Sequence, residues 1–410
     1  MNTFFKTILV SVATAFCATS CIQDEALNTE CDILSCSLPE GYLVAAPKVD
    51  NYTVTLQIQD NVDISKLAPE FEITPGATIT PASGSVQDFL HAENNTINYT
   101  VTSQDGAWRK VYPVRVVQNM PPSEYFFNVP KLDPQRKYSI FDEVDTDGAF
   151  LMSWASGNPG YVLCGVADVE ARKKYGDSYK DHVWEFFPTR AVFNGEVSLV
   201  DRGGTTFFMV GNEPAVPEYI HLETCSTGSF GTMVGMPIAA GNIFQGFFDI
   251  SQAIANPRGA TKFGEPYRYV PQTFKGRYRY KAGPTFTNEK GQVEAGRQDE
   301  CSIYALFYET DDNVEYIDGS IHDADFKHPN LVAIAMVDTK GQHETNGWVE
   351  FDTPFEMTGR AVDYDKLAHG GYKIGIVISS SADGDYFRGA VGSTLDVADL
   401  KIINTNTETE

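Results

Sequence analysis

Apolar side chains recur at every second position through much of this chain. Val54, Leu56 and Ile58 alternate with Thr53, Thr55 and Gln57; Ile97, Tyr99 and Val101 alternate with Asn98, Thr100 and Thr102. Tyr112, Val114 and Val116 do the same around Arg115. A period of two gives each strand one apolar face, and such faces are buried by packing antiparallel sheets over one core. Pro75-Gly76 and Ser83-Gly84 punctuate the pattern, and Gln104-Asp105-Gly106 marks a hairpin turn. Short strands with no helical stretch over residues 41–119 predict a small β-sandwich.

A Met120-Pro121-Pro122 break follows. Residues 123–405 are rich in aromatics and glycine. Ile303 to Tyr308, Leu331 to Met336, Tyr372 to Ser379 and Thr394 to Ile402 are the clearest strands. Helix signals are confined to Val166–Tyr175 and to Asp249–Ala255, which Asn256-Pro257 stops. Without β-α-β alternation, a doubly wound sheet or a TIM barrel is excluded. The expected class is all-β: an immunoglobulin-like sandwich followed by a larger jelly-roll β-sandwich.

The N-terminus obeys a different logic. One cation, Lys6, precedes an apolar run from Ile8 to Ala18, too short for the roughly 20 residues of a membrane span. The run exits through Ala18-Thr19-Ser20-Cys21, which predicts a lipoprotein signal peptide over residues 1–20 and lipidation of Cys21. Ala18 stands where a leucine is usual, and Phe16 is too large to make Cys17 the acceptor. Residues 21–40 lack periodicity and read as a tether. Asp24 and Glu25, just behind Cys21, resemble the export signal of Bacteroidetes-type surface lipoproteins. The expected location is the outer membrane, lipid-anchored at the cell surface, with a periplasm-facing anchor as the alternative.

Charge narrows the partners. Lys and Arg number 31 against 55 Asp and Glu, a formal net charge of −24. Loss of residues 1–20 removes Lys6 and no acid, deepening the imbalance. Such a surface argues against nucleic acid and anionic lipid, and suits neutral sugars. Of seven cysteines, Cys31 and Cys36 lie close enough for a local disulfide, whereas Cys164, Cys225 and Cys301 read as buried free thiols. No Cys-x-x-Cys pair supports a zinc ribbon.

Beyond the break, the chain resembles the putative carbohydrate metabolism domain of Bacteroidetes lipoproteins over roughly residues 125–405. The resemblance rests on Trp184-Glu185-Phe186, Phe193-Asn194-Gly195, Phe244-Gln245-Gly246-Phe247, Asn256-Pro257-Arg258, Phe263-Gly264-Glu265-Pro266-Tyr267, Lys275-Gly276-Arg277, and the run from Ser379 through Gly384-Asp385-Tyr386-Phe387-Arg388-Gly389 to Leu400. The preceding Ile73 to Ala77, Ser83 to Phe89 and Trp108 to Tyr112 segments resemble the immunoglobulin-like modules of the same lipoproteins. The resemblance implies a galactose-binding-like or carbohydrate-module-like sandwich with a carbohydrate-linked role. It carries no agreed catalytic residues.

Sugars are recognised by flat aromatic faces and nearby polar groups. Trp154, Trp348 and Tyr386 lie in turn-rich segments expected to expose them, and Tyr267, Tyr269 and Arg388 join them as candidate ligand-binding residues. Trp184, Tyr278 and Tyr280 read as core, and Trp108 as a packing residue. Hydrolysis requires two facing carboxylates; Glu185, Glu223, Glu265 and Asp249 are the acids to test, and the catalytic set stays unknown. Asp142, Asp145, Asp147 and Gly148 suggest a calcium loop, but no acid completes an EF-hand. A structural calcium stays open and no other cofactor is expected. Gly228-Ser229-Phe230-Gly231 is one residue short of a nucleophile elbow, with no helix expected after it. The reading is a surface lipoprotein that binds carbohydrate; a glycoside hydrolase and a non-catalytic adhesion or envelope-assembly subunit are the alternatives.

Overall fold

The computed structural model describes residues 27–43, 46–58, 62–117, 123–145, 148, 150–368 and 370–405. The predicted signal peptide, Cys17, Cys21, the Met120-Pro121-Pro122 break and Asp147 lie outside the described residues.

The first alternating segments form a sheet in the order Lys48–Val49, Val54–Gln57, Arg109–Val117, Thr96–Thr102, Thr78–Thr80. Val54–Gln57 runs parallel to Arg109–Val117, and the other pairs are antiparallel. Val54, Leu56, Tyr99, Val101, Tyr112 and Val114 all point into one core, as their period demands. Facing them, Ile33–Ser37 pairs with Glu70–Ile73. Residues 33–37 are therefore a strand of the sandwich and not part of a tether. A register shift between Ile33 and Ser35 turns both Ile33 and Cys36 inward, which breaks the period-two signal. Cys31 and Cys36 are free thiols rather than a disulfide, because Cys36 is spent on the core. Trp108 was expected to pack, yet it is 62% exposed.

The second sandwich has two sheets. The smaller runs Thr189–Phe193, Pro217–Glu223, Thr394–Asn404, Pro271–Lys281, Val349–Pro354. The larger has Asn242–Phe248, Tyr372–Ser379, Ser302–Glu309 and Leu331–Met336 side by side at its centre. Ile303, Ala305, Phe307, Ile374, Ile376 and Ile378 meet Phe274, Tyr278, Tyr280, Leu395 and Val397 across the interior. The alternate residues Phe244, Tyr304, Leu306, Tyr308 and Val377 lie on the larger sheet's other face, covered by Phe263, Ile317 and Ile321. Burial on both faces explains why these strands read as continuous apolar runs.

Val166–Tyr175 is helical, as its pattern predicts. Asp249–Ala255 yields a single 3-10 turn, Ile250–Gln252, with the Asp249 carboxylate accepting from Ser251 N at 3.0 Å. Gly228–Met233 forms a short helix where none was expected. Among the described residues no helix is long and apolar enough to cross a membrane.

Candidate functional site

The outer face of the larger sheet carries the main cavity. Phe244, Tyr304 and Val377 sit side by side there, since Phe244 pairs with Val377 and Tyr304 with Val377. The cavity encloses about 180 Å³, walled by the helices Asn158–Val162 and Gly228–Met233, the segment from Ala253 to Arg258, and the loop around Asp385. Phe248, Phe263, Ile254 and Phe387 give it apolar walls.

A polar cluster occupies one side. Asp323 Oδ1 accepts from Arg258 Nη1 at 2.5 Å and from the Tyr386 hydroxyl at 2.6 Å. The Arg258 guanidinium lies 4.7 Å from the Tyr386 ring centroid. The Arg258 and Tyr386 bonds hold the Asp323 carboxyl below its ordinary value, and the same carboxylate pushes Tyr386 up to about 12. His322 Nδ1 lies 3.1 Å from Asp385 Oδ2. Among the described residues, neither Asp385 oxygen accepts a well-formed hydrogen bond, although both are buried. A desolvated acceptor without donors costs roughly 1–3 kcal/mol, so such a group is expected to find donors elsewhere.

The loop that presents Asp385 is pinned from behind. Asp299 Oδ2 accepts from Ser381 Oγ at 2.6 Å, Ser393 Oγ at 2.7 Å and Ala390 N at 2.8 Å. Gly384 is required for closeness: a Cβ there would come 2.5 Å from the Ala240 side chain. Phe387 sits at φ +58°, a left-handed conformation that is costly for an aromatic residue and held only by its surroundings.

A second cavity of about 160 Å³ lies where the two sandwiches meet. Lys48, Asn51, Tyr52 and Thr53 line it from the first, and Lys131, Ser153, Ser156, Phe247 and Phe248 from the second. Lys48 Nζ bonds Glu265 Oε1 at 2.8 Å, and Arg115 Nη1 reaches Asp142 Oδ2 at 3.3 Å while its guanidinium covers the Phe150 ring at 4.7 Å. Lys131 also bonds Asp142. Burial alone would raise the Asp142 carboxyl, but Lys131 and Arg115 hold it below its ordinary value. Asp142 is thus paired at the junction, and no group of three or more metal-ligating side chains occurs among the described residues.

The six residues expected to bind ligand scatter. Trp154 is not exposed as expected: the strand Phe150–Ala155 carries it inward, where it is 4% exposed, donates from Nε1 to Glu143 at 2.9 Å and lines the second cavity. Tyr267 is fully buried and donates to Asn404 Oδ1 at 2.8 Å. Tyr269 is exposed beside it, lining neither cavity. Trp348 lies on the smaller sheet's outer side, 5.6 Å from Tyr219, with Arg277 at 4.6 Å and Arg279 at 5.0 Å from its ring. Tyr386 and Arg388 alone come together near the main cavity, 5.9 Å apart, and Arg388 is also bonded to Glu289 at 2.8 Å. The four acids singled out are each engaged apart from the main cavity's polar cluster: Glu185 with Tyr175 and His182, Glu223 with Arg190, Glu265 with Lys48, and Asp249 as a cap.

Sequence reasoning missed Arg258, His322, Asp323 and Asp385. Arg258 and Asp385 lie inside motifs that carried the family resemblance, but nothing in the chain's spacing joins them to His322 and Asp323.

Two family descriptions match the chain. "Putative carbohydrate metabolism domain" covers residues 126–403, and "SGBP, N-terminal", from surface glycan-binding proteins, covers residues 33–116. The crystal structure of a putative glycoside hydrolase from Bacteroides thetaiotaomicron VPI-5482 is 40% identical, spanning 94% of this chain and 99% of its own, with a TM-score of 0.76. A putative glycoside hydrolase from Bacteroides vulgatus ATCC 8482 is 36% identical over 70% of this chain and 100% of its own, with a TM-score of 0.56. No curated protein matches the chain. The chain belongs to the family of the putative carbohydrate metabolism domain, preceded by a module similar to the N-terminal one of surface glycan-binding proteins, and its role is carbohydrate-associated.

Proposed function

We propose that this protein captures carbohydrate at the cell surface, displayed from the outer membrane through lipid on Cys21, and that the cavity beside Asp385 receives a sugar unit. The observation that carries the reading is the Asp385 carboxylate, whose buried oxygens accept no well-formed hydrogen bond among the described residues, set beside the aromatic walls of Phe248, Tyr304 and Phe387. Sugar hydroxyls can supply such a group with donors, and the apolar face of a pyranose packs on rings. Arg258 and His322 add donors at the same rim.

The test is a glycan array probed with the purified protein, wild type and Asp385→Ala. Hydrogen bonds to a charged acceptor contribute about 1.5–3 kcal/mol, so the variant should bind its best glycan roughly 10- to 150-fold more weakly. Equal binding by a folded variant would place the site elsewhere.

A second reading, hydrolysis, draws on the description of both solved relatives as putative glycoside hydrolases. Asp323, held ionised, would be its nucleophile or base. Its carboxylate is already bridged by Arg258 and Tyr386, which favours binding. Products that accumulate on overnight incubation, and vanish in Asp323→Asn, would reverse that preference.

A further inference from the structure

Phe248 lines both cavities. The turn beside it is shared in the same way: Ser156 and Pro159 face the second cavity, and Gly157, Asn158 and Gly160 face the first. Phe248 lies so close to Gly160 that a Cβ there would stand 3.2 Å from the ring. Phe248 and the glycine-lined turn thus stand between the two spaces.

Size decides whether they act separately. Cavities of about 180 and 160 Å³ are each below the roughly 300–1,000 Å³ of an ordinary ligand pocket, and only together reach its lower end. The second cavity also has the chemistry of a sugar subsite. It offers rings from Tyr52, Phe247 and Phe248, the Asn51 amide, and the Ser153 and Ser156 hydroxyls. Its three cations, Lys48, Arg115 and Lys131, face three acids, Glu265 and Asp142 as bonded partners and Asp50 on the cavity wall, so it has no spare positive charge for a uronate. The Lys48–Glu265 and Arg115–Asp142 pairs fix the first sandwich against the second, which holds Tyr52 at a set distance from Phe248.

We infer that the ligand is a neutral oligosaccharide bound across both cavities, with the immunoglobulin-like module completing the site through Asn51 and Tyr52. This rests on the carbohydrate reading of the Asp385 cavity. The first module is then part of the recognition surface and not a spacer.

The experiment is calorimetric titration of the full chain with neutral oligosaccharides of one to six units from β-glucan, α-glucan and mannan, and with a uronate-bearing series of the same lengths. Affinity for one neutral series should rise tenfold or more between one unit and three. Tyr52→Ala should remove that gain and leave the shortest ligand's affinity unchanged, whereas Asp385→Ala should weaken every length. Ser156→Phe, which fills the second cavity without touching the junction pairs, should reproduce the Tyr52→Ala result if that variant unfolds. Affinity independent of length, or a length gain that survives both variants, overturns the inference while the Asp385 reading stands. Preference for the uronate series overturns the assignment of a neutral ligand. Absence of binding by every series overturns both.

Discussion

Asp299 holds the loop that presents Asp385, and replacing it with asparagine tests that dependence. Its carboxylate is 1% exposed; Oδ2 takes three donors, and Oδ1 takes Glu300 N at 3.0 Å. Asparagine keeps the shape but offers one acceptor and one donor, so whichever way the amide turns, its NH2 faces an N–H or hydroxyl. The serine hydroxyls can re-aim, Ser381 toward Thr224 Oγ1, already 2.6 Å away. One or two donors are then stranded, at about 1–3 kcal/mol each, for a loss of about 2–4 kcal/mol. At roughly 2–4 °C per kcal/mol for a domain of 150–250 residues, the melting temperature falls by about 5–15 °C. The pH dependence has a definite sign. Burial raises the Asp299 carboxyl, with its donors pulling the other way. A carboxyl raised on folding stabilises most below its unfolded value and loses that contribution as pH rises through the folded value. Wild type therefore gains on acidification what Asp299→Asn cannot, and the gap between them widens toward low pH. Calorimetry at several pH values measures it. A variant as stable as wild type, or a gap that narrows on acidification, would refute the argument by showing that the three donors add nothing over the cost of burying the charge.

Two other outcomes follow from burial and pairing. His221, with Nε2 3.6 Å away, and Arg190, bonded at 2.7 Å, hold Glu223 down to about 2, so its contribution is present above the usual carboxylate range and disappears as pH falls from about 4.5 to 2. Melting curves of wild type and Glu223→Gln should converge over that window, and a constant offset would contradict the assignment. In urea denaturation, Trp154→Ala should cost about 3–5 kcal/mol, since it empties core volume and strips Glu143 of a donor. Trp108→Ala, at an exposed position, should stay within about 0.5 kcal/mol; equal effects would mean the two indoles had been placed wrongly.

Strand positions were legible wherever one face is buried and the period is two, as in Val54–Gln57 and Thr96–Thr102. They were also legible where both faces are buried, as in Tyr372–Ser379, because an unbroken apolar run is then forced. Ile33–Ser37 was not legible, since its register shift scrambles the alternation. The aromatic candidates failed for a related reason. Ser156-Gly157-Asn158-Pro159-Gly160 does turn, but the strand before it continues through Ala155 and carries Trp154 inside. A turn signal locates where a strand ends, not which way its final residues point. The polar cluster lay beyond sequence reasoning because Arg258, His322–Asp323 and Asp385–Tyr386 come from three distant segments. Only the folded sheet, with Phe244 and Tyr304 flanking Val377, brings those segments over one floor.

The strand Thr394–Asn404 sits between Pro217–Glu223 and Pro271–Lys281, yet it follows both in sequence. Until it arrives the smaller sheet is two separate pieces, each with an unpaired edge, and the interior faces of Ile220, Phe274 and Tyr278 have nothing to close over them. Contacts of such long sequence separation form slowly, and open edges with continuous apolar strands invite pairing with other chains meanwhile. A nascent chain therefore stays an incomplete, sticky intermediate through most of its length. Losing a few residues near Leu400 would trap it in that state, where the same deletion in a surface loop would pass unnoticed.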